Sequence, residues 1–79
     1  MGQEPRAPRH RTLKAGKIIF NARYSVFECT IRNLSDTGAA LEMSTTLGVP
    51  AQFTLAYDKI ERQCTVVWRT ERKLGVAFI

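Results

Sequence analysis

The fold of this chain is constrained most by the two-residue alternation of apolar and polar side chains along short segments. In residues 25–34, Phe27, Cys29 and Ile31 alternate with polar or charged residues. Successive side chains of a β-strand point to opposite faces, so this period indicates a strand with one buried face. Apolar segments between turn residues indicate five more strands. The six predicted strands are residues 13–20, 25–34, 39–43, 53–57, 60–69 and 74–78.

Six short strands without a convincing helix predict an all-β fold. Closing them into a six-stranded antiparallel β-barrel would leave no strand edge exposed. In the fifth strand, Trp68 follows Cys64 and Val66 at two-residue intervals, so we expect these three side chains on the same, buried face. The 79 residues suffice for one domain near the lower limit for folding around a single core.

The N-terminal arm, defined as residues 1–12, differs from the rest of the chain in composition. It contains Pro5, Pro8 and three arginines, and it shows no apolar periodicity. Proline disfavours helix at the residue before it. We therefore expect a flexible, extended arm that precedes a barrel domain at residues 13–79.

The positive charge of the chain is concentrated at this end. Residues 1–17 carry five cations and one anion, a net charge of +4, whereas residues 18–79 carry seven cations and six anions. Such local charge attracts nucleotides, nucleic acid or anionic lipid. Three of the cations are Arg6, Arg9 and Arg11, and arginine can contact phosphate oxygens or a guanine edge through two parallel hydrogen bonds.

The residue pattern argues against an enzyme, a metal protein and a membrane protein. His10, the sole histidine, lies in the predicted arm, where it could not be held rigidly as a catalytic base. Two cysteines and one histidine cannot supply the four ligands of a structural zinc ion, so we expect no metal or cofactor, and two buried thiols at Cys29 and Cys64. No apolar segment approaches the roughly 18–20 residues of a membrane span, and no secretory signal is recognisable, so we expect a cytoplasmic protein without membrane insertion.

The motif with the most chemical content is the polar turn at residues 33–38, which read NLSDTG. Asn33 offers amide donors and an acceptor, and Ser35 offers a hydroxyl. Gly38 is the residue type that adopts a positive φ most readily and lets a ligand approach the backbone closely. An ordinary serine-containing turn that ends in glycine would have the same residues, so this pattern alone fits both interpretations.

Together with the arginines of the arm and the end of the chain, this turn resembles the PilZ domain family. The resemblance rests on NLSDTGA at residues 33–39 between two apolar strands, VVWR at residues 66–69 and LGVAF at residues 74–78, and it covers residues 6–79. It implies a six-stranded, PilZ-like split barrel that binds the bacterial second messenger cyclic di-GMP. In such a domain an arginine segment closes over the ligand while the polar turn contacts it from the barrel.

The resemblance also implies a set of ligand-binding residues, three in the arm and three in the turn. These are Arg6, Arg9 and Arg11, and Asn33, Ser35 and Gly38. The family's first motif has two arginines in the spacing R-x-x-x-R, and no two arginines of the arm are four positions apart. Two alternatives therefore stand: a cyclic di-GMP receptor, or a degenerate PilZ domain that does not bind the nucleotide and acts as a protein-interaction module.

A small barrel that binds nucleic acid is a further alternative, which we disfavour. Beyond the arm the cations are balanced by acids, and most aromatic residues fall on predicted core faces. The chain also ends directly after its last predicted strand, without the C-terminal helix of many PilZ domains. From this we expect either a homodimer or a downstream protein partner.

Overall fold

The computed structural model describes residues 10–79, and this part of the chain contains six strands and no helix. The strands are β1 (His10–Phe20), β2 (Ser25–Leu34), β3 (Gly38–Glu42), β4 (Gln52–Tyr57), β5 (Ile60–Arg69) and β6 (Lys73–Phe78). All neighbouring strands are antiparallel, and they close into a barrel in the order β1-β2-β3-β6-β5-β4. The predicted all-β, six-stranded antiparallel barrel is confirmed.

The start of β1 differs from the prediction. The strand begins at His10, three residues before the predicted start at residue 13, so Arg11 and Thr12 belong to the sheet. The predicted arm overlaps the described residues only in these three positions. The division into an arm and a barrel domain stays a prediction for residues 1–9, which lie outside the described part of the chain.

The barrel interior is a packed apolar core to which every strand contributes one fully buried side chain. In chain order these are Ile18, Ile31, Leu41, Leu55, Cys64 and Leu74, each with no exposed surface. Burying one isoleucine or leucine side chain contributes about 1.5–3 kcal/mol relative to leaving it exposed. The alternation read from the sequence therefore assigned the core face correctly along most of each strand.

Both cysteines are buried and free, as predicted. Burial raises the pKa of the Cys29 thiol to about 12 and that of the Cys64 thiol to about 11. Because the thiolate is the reactive form of cysteine, both side chains are chemically inert packing residues in the folded barrel.

An ion pair stabilises the turn between β1 and β2 on the outside of the barrel. Asn21, Ala22 and Arg23, between β1 and β2, all have positive φ values of 53–73°. The Arg23 guanidinium donates two hydrogen bonds to Glu61 on β5, at 3.3 and 2.7 Å. The pair spans two hairpins and holds this left-handed turn against the sheet.

Three β-bulges set the direction of the side chains at one end of the barrel. The register shifts between Arg11 and Lys14 in β1, between Ile31 and Asn33 in β2, and between Val66 and Trp68 in β5. A bulge adds an unpaired residue, so the side chains after it exchange faces relative to strict alternation. The predicted inward orientation of Trp68 is wrong for this reason. Val67 is the extra residue, and Trp68 lies on the outer face with 45 % of its surface exposed.

Candidate functional site

The three bulges align five residues in one row across the outer face of the barrel. Arg11 on β1 pairs with Asn33 on β2, and Asn33 pairs with Ala40 on β3. Ala40 pairs with Gly75 on β6, and Gly75 pairs with Trp68 on β5. Leu41 and Leu74, the neighbours of the two middle residues, point into the core, so this transverse row points outwards. The row has a cation and an amide at one end, two small residues in the middle and an indole at the other end.

Four residues of the transverse row form the floor of an open groove of about 700 Å³, which we call the outer groove; these are Arg11, Asn33, Ala40 and Trp68. Ala40 leaves room in its middle because it carries only a methyl group, whereas Gly75 is buried beneath the Trp68 indole. Arg32 and Lys73 contribute further cationic side chains to its walls. The Arg32 guanidinium donates to the Glu42 carboxylate at 2.7 Å, and Glu42 lies opposite Lys73 in the β3–β6 register. Three cations and one acid thus surround the floor, which makes the outer groove electropositive.

The serine of the polar turn is occupied by contacts within the turn. The Ser35 hydroxyl oxygen accepts hydrogen bonds from the backbone N–H groups of Thr37 and Gly38, at 3.2 and 3.3 Å. The Ser35 backbone N–H donates to the Gly38 carbonyl at 2.9 Å. These contacts are those of a serine turn, in which the side chain fixes the backbone. The geometry therefore gives Ser35 a structural role, and direct contact with a ligand stays a prediction.

Gly38 has a different reason to be glycine than the one expected from the sequence. Among the described residues, the glycine with a positive φ is Gly48, at 89°, so Gly38 does not use the left-handed conformation. It is the buried first residue of β3, and a Cβ atom built on it would lie 2.2 Å from the backbone oxygen of Val76. The glycine is required because β6 approaches β3 too closely for a side chain.

The six predicted site residues are thus placed as follows. Arg11 and Asn33 are neighbours on the floor of the outer groove. Ser35 and Gly38 build the adjacent turn rather than the floor. Arg6 and Arg9 lie outside the described residues.

A second, smaller recess borders the outer groove on the side of the polar turn, and Arg11 lines both. The Arg62 guanidinium lies 4.1 Å from the centre of the Phe78 ring and donates to the Asp36 carbonyl at 3.5 Å. Lys14 pairs with Asp58 at the same end of the barrel. Arg62 therefore adds a cation beside the turn at residues 35–38, next to the acidic Asp36 and the neutralised pair of Lys14 and Asp58.

The groove residues outside the two motifs were not predicted from the sequence. Trp68 was expected in the core, and Arg32 and Lys73 were counted only as balanced surface charges. Arg32 alternates with the core residues of β2, so its exposure was readable from the sequence. The position of Trp68 was not, because a bulge at Val67 leaves no mark on apolar alternation.

Arg69, which follows Trp68 in β5, has a structural role. Its guanidinium donates to the backbone oxygens of Thr46 and Val49, both at 2.8 Å. The Thr46 hydroxyl in turn donates to the Thr70 carbonyl at 2.6 Å. These bonds tie the segment between β3 and β4 to the end of β5, so Arg69 is engaged away from the floor of the outer groove.

An electropositive outer groove on a barrel whose interior is packed defines a small β-barrel binding domain. The packed core leaves no room for a ligand inside, so the outer wall is the candidate binding surface. The PilZ domain model matches residues 3–79, essentially the whole chain, and this protein therefore belongs to the PilZ domain family. The family is one of binding and adaptor domains, and it is usually associated with cyclic di-GMP.

A search of curated proteins finds no significant match to the chain. In the described part of the chain, residues 10–79, no helix is long and apolar enough to cross a membrane.

Proposed function

We propose that this PilZ domain is a cyclic di-GMP receptor that binds its ligand in the outer groove, between the barrel and the arginines of the N-terminal arm. The observation that carries the proposal is the transverse row, which puts Arg11 and Asn33 side by side at one end of an open floor. A cyclic dinucleotide carries phosphates and planar bases, and this floor offers a partner for each. Guanidinium groups bind phosphate oxygens with charge-assisted hydrogen bonds, and an amide can both donate to and accept from a guanine edge.

The residues of the two motifs have separate roles in this proposal. Arg11 and Asn33 contact the ligand directly. Ser35 and Gly38 act through the backbone: the serine hydroxyl closes the turn and the glycine lets β3 approach β6, which together fix the end of β2 that carries Asn33. Arg6 and Arg9 supply the further arginine contacts that the family motif provides.

The absent R-x-x-x-R spacing favours one other function, a PilZ domain that does not bind the nucleotide and serves as a protein-interaction module. The groove offers a physical reason to prefer binding, because Arg32 and Lys73 add cations to the walls of the same groove that Arg11 lines. Under either function, a downstream protein or a second copy of the chain binds the surface that is formed by the arm and the outer groove. The proposed setting is the bacterial cytoplasm, a compartment that keeps free thiols such as Cys29 and Cys64 reduced.

Calorimetric titration of the full chain with cyclic di-GMP tests the proposal, with GTP as the ligand control. We expect saturable binding, and a loss of roughly tenfold to a hundredfold in affinity for Arg11→Ala, since a hydrogen bond to a charged group contributes about 1.5–3 kcal/mol. For Asn33→Ala we expect a loss of roughly twofold to tenfold, since a hydrogen bond between neutral groups contributes about 0.5–1.5 kcal/mol. Arg72→Ala is the matched control. Arg72 is exposed and carries the same charge, but it does not line the outer groove.

Two results would count against the proposal. If the unaltered chain gives no saturable heat with cyclic di-GMP, the receptor function is wrong and the interaction-module function is preferred. If Arg72→Ala weakens binding as much as Arg11→Ala, the ligand responds to net charge and not to the outer groove. Circular dichroism melting of each variant checks that the barrel is intact.

A further inference from the structure

The barrel closes through a short seam, and one edge of β1 is left without a strand partner. β1 is 11 residues long, but it pairs with β4 only over residues 17–19. β4 ends at Tyr57, and Asp58 and Lys59 then form the turn to β5 with positive φ values of 48° and 65°. In the described part of the chain, residues 10–16 of β1 therefore have a strand on the β2 side and none on the other side.

We call this second side of residues 10–16 the free edge. Every second residue of a strand directs its N–H and C=O groups to the same side, so a free edge is a template for another extended segment. An added strand would occupy the place of a longer β4, end to end with Tyr57. Strand addition of this kind combines backbone hydrogen bonds with recesses for alternate side chains.

Recesses lie on both faces of the sheet beside the free edge. On the outer face is a recess of about 430 Å³, in which Ala15 on β1 and Ala56 on β4 leave room because they carry only methyl groups. At the end of the barrel is the recess of about 310 Å³ that borders the outer groove, and Thr12 and Tyr57 line it. Successive side chains of an added strand would point into one recess and then into the other.

The charge of the free edge decides which extended segment fits. Residues 10–17 contain three cations and no acid. The outer recess is lined by Lys17 and Lys59 and by two acids, of which Glu61 is already held by Arg23 at 2.7 Å. Two copies of this edge would repel each other, and cationic side chains commonly protect edge strands in this way. The same cations attract an acidic segment.

We propose that the free edge of β1 is a docking site for an extended, acidic segment of a partner protein, which adds to the sheet as a further strand. Acidic side chains of the segment face Lys17 and Lys59, and the side chains between them face Tyr57 at the end of the barrel. The outer groove extends from β1 across β2 and β3, whereas the free edge faces the opposite side of β1. The inference therefore goes beyond the proposed function and does not depend on it.

Amide hydrogen exchange of the unaltered chain shows whether the edge is open. We expect the backbone amides of residues 11–16 that face away from β2 to exchange fast, and those that pair with β2 to be protected. If all amides of residues 11–16 are protected, the edge is already covered and the proposal is wrong. Protection that increases with protein concentration would identify a second copy as the occupant, and constant protection would identify residues 1–9.

The probe for the partner is an end-blocked peptide of three Glu-Val repeats, titrated into the isotope-labelled chain and followed by NMR. We expect saturable shifts at residues 11–16. Two N-methylated peptides separate backbone pairing from charge, because methyl groups on the valines block one side of the added strand and methyl groups on the glutamates block the other. One of the two should bind like the parent peptide, and the other should lose at least roughly tenfold in affinity.

Charge variants test the choice of an acidic partner. A double variant with Lys17→Glu and Lys59→Glu should bind the parent peptide roughly 2- to 30-fold more weakly, the range expected for the loss of two exposed ion pairs. Arg72→Glu is the control for the change in charge, since Arg72 is exposed and lines neither recess of the free edge. A peptide of three Lys-Val repeats should not bind the unaltered chain.

Three results would overturn the proposal. If the parent peptide causes no shifts at residues 11–16, the edge does not accept an acidic strand. If both N-methylated peptides bind like the parent, the contact is made by side chains alone and no strand is added. If the Lys-Val peptide binds as tightly as the Glu-Val peptide, or if Arg72→Glu weakens binding as much as the double variant, the edge does not select an acidic partner.

Discussion

Replacing Gly38 by alanine should lower the free energy of unfolding of the barrel. It should not remove a ligand contact. The added methyl group would lie 2.2 Å from the backbone oxygen of Val76, well inside van der Waals contact. A backbone carbonyl in a sheet cannot rotate away as a side chain can, so β3 and β6 have to separate. The nearby hydrogen bond from the Phe78 N–H to the Thr37 carbonyl, at 2.8 Å, is strained by the same movement.

The expected size of the effect follows from the backbone contact. Overpacking a closed site costs about 1–3 kcal/mol, and the upper part of this range applies where backbone must move. For a domain of 79 residues, each 1 kcal/mol lowers the melting temperature by about 4–8 °C. We therefore expect Gly38→Ala to melt roughly 8–24 °C below the unaltered chain.

Gly16→Ala is the matched control, since it adds the same methyl group to a strand glycine of the same barrel. Its Cβ would meet only side-chain atoms, the nearest being Cδ1 of Ile31 at 3.1 Å and Sγ of Cys29 at 3.3 Å. These atoms can move by a few tenths of an ångström, so we expect a change of about 1 kcal/mol or less.

Thermal and urea unfolding, followed by circular dichroism, measure both variants, and ligand binding is then measured well below the melting temperature. If Gly38→Ala has the same melting temperature as the unaltered chain, β3 and β6 do not approach too closely for a methyl group, and the prediction is wrong. If that variant were also unable to bind cyclic di-GMP, Gly38 would contact the ligand directly, and the backbone role proposed above would be wrong.

Two further predictions concern stability. Ala22→Gly should raise the free energy of unfolding by up to about 1 kcal/mol. Ala22 has a φ of 53°, and glycine adopts this conformation without steric cost. An unchanged or lower urea midpoint would contradict this prediction. The pKa values of Cys29 and Cys64, raised by burial to about 12 and 11, mean that the unfolded chain loses these protons first. The contribution of the two thiols to stability is therefore complete below about pH 9, and it decreases as the pH rises towards 11 and 12. In a double variant with Cys29→Ala and Cys64→Ala, the free energy of unfolding should fall less steeply over this pH range. In the native chain at pH 8, both thiols should react with a disulfide reagent only as fast as the barrel unfolds, and immediate reaction would show that they are accessible.

The pattern of apolar residues predicted the strands because it records local burial. All six strands form close to their predicted bounds, and the fully buried residues, among them Ile18, Ile31 and Leu41, lie on the predicted face. The start of β1 was placed too late because His10, Arg11 and Thr12 are three consecutive polar residues, which show no apolar alternation. His10 and Arg11 are held in the sheet by pairing with the end of β2, a contact distant in sequence, and Thr12 lies in the bulge that follows.

The candidate site was predictable as a set of residue types but not as an arrangement. The motif identified Asn33 and the basic end of the chain identified Arg11, and the structure makes these two residues partners in the β1–β2 register. Ser35 and Gly38 belong to the same sequence motif as Asn33, but in the structure they build the turn and lie apart from Arg11 and Asn33. Composition cannot distinguish a serine that contacts a ligand from one that closes its own turn, because both need only a hydroxyl.

The sequence by itself determined the β-strands, the core face along most of each strand and the family, since all three are recorded in short segments whose side chains lie within a few positions of each other. Only the tertiary structure decided which way Asn33 and Trp68 point. A bulge forms where two paired strands differ in residue count, and this count depends on the register of strands that are distant in the chain. The closing of the barrel fixes that register, and with it the row from Arg11 to Trp68 on which the proposed binding depends.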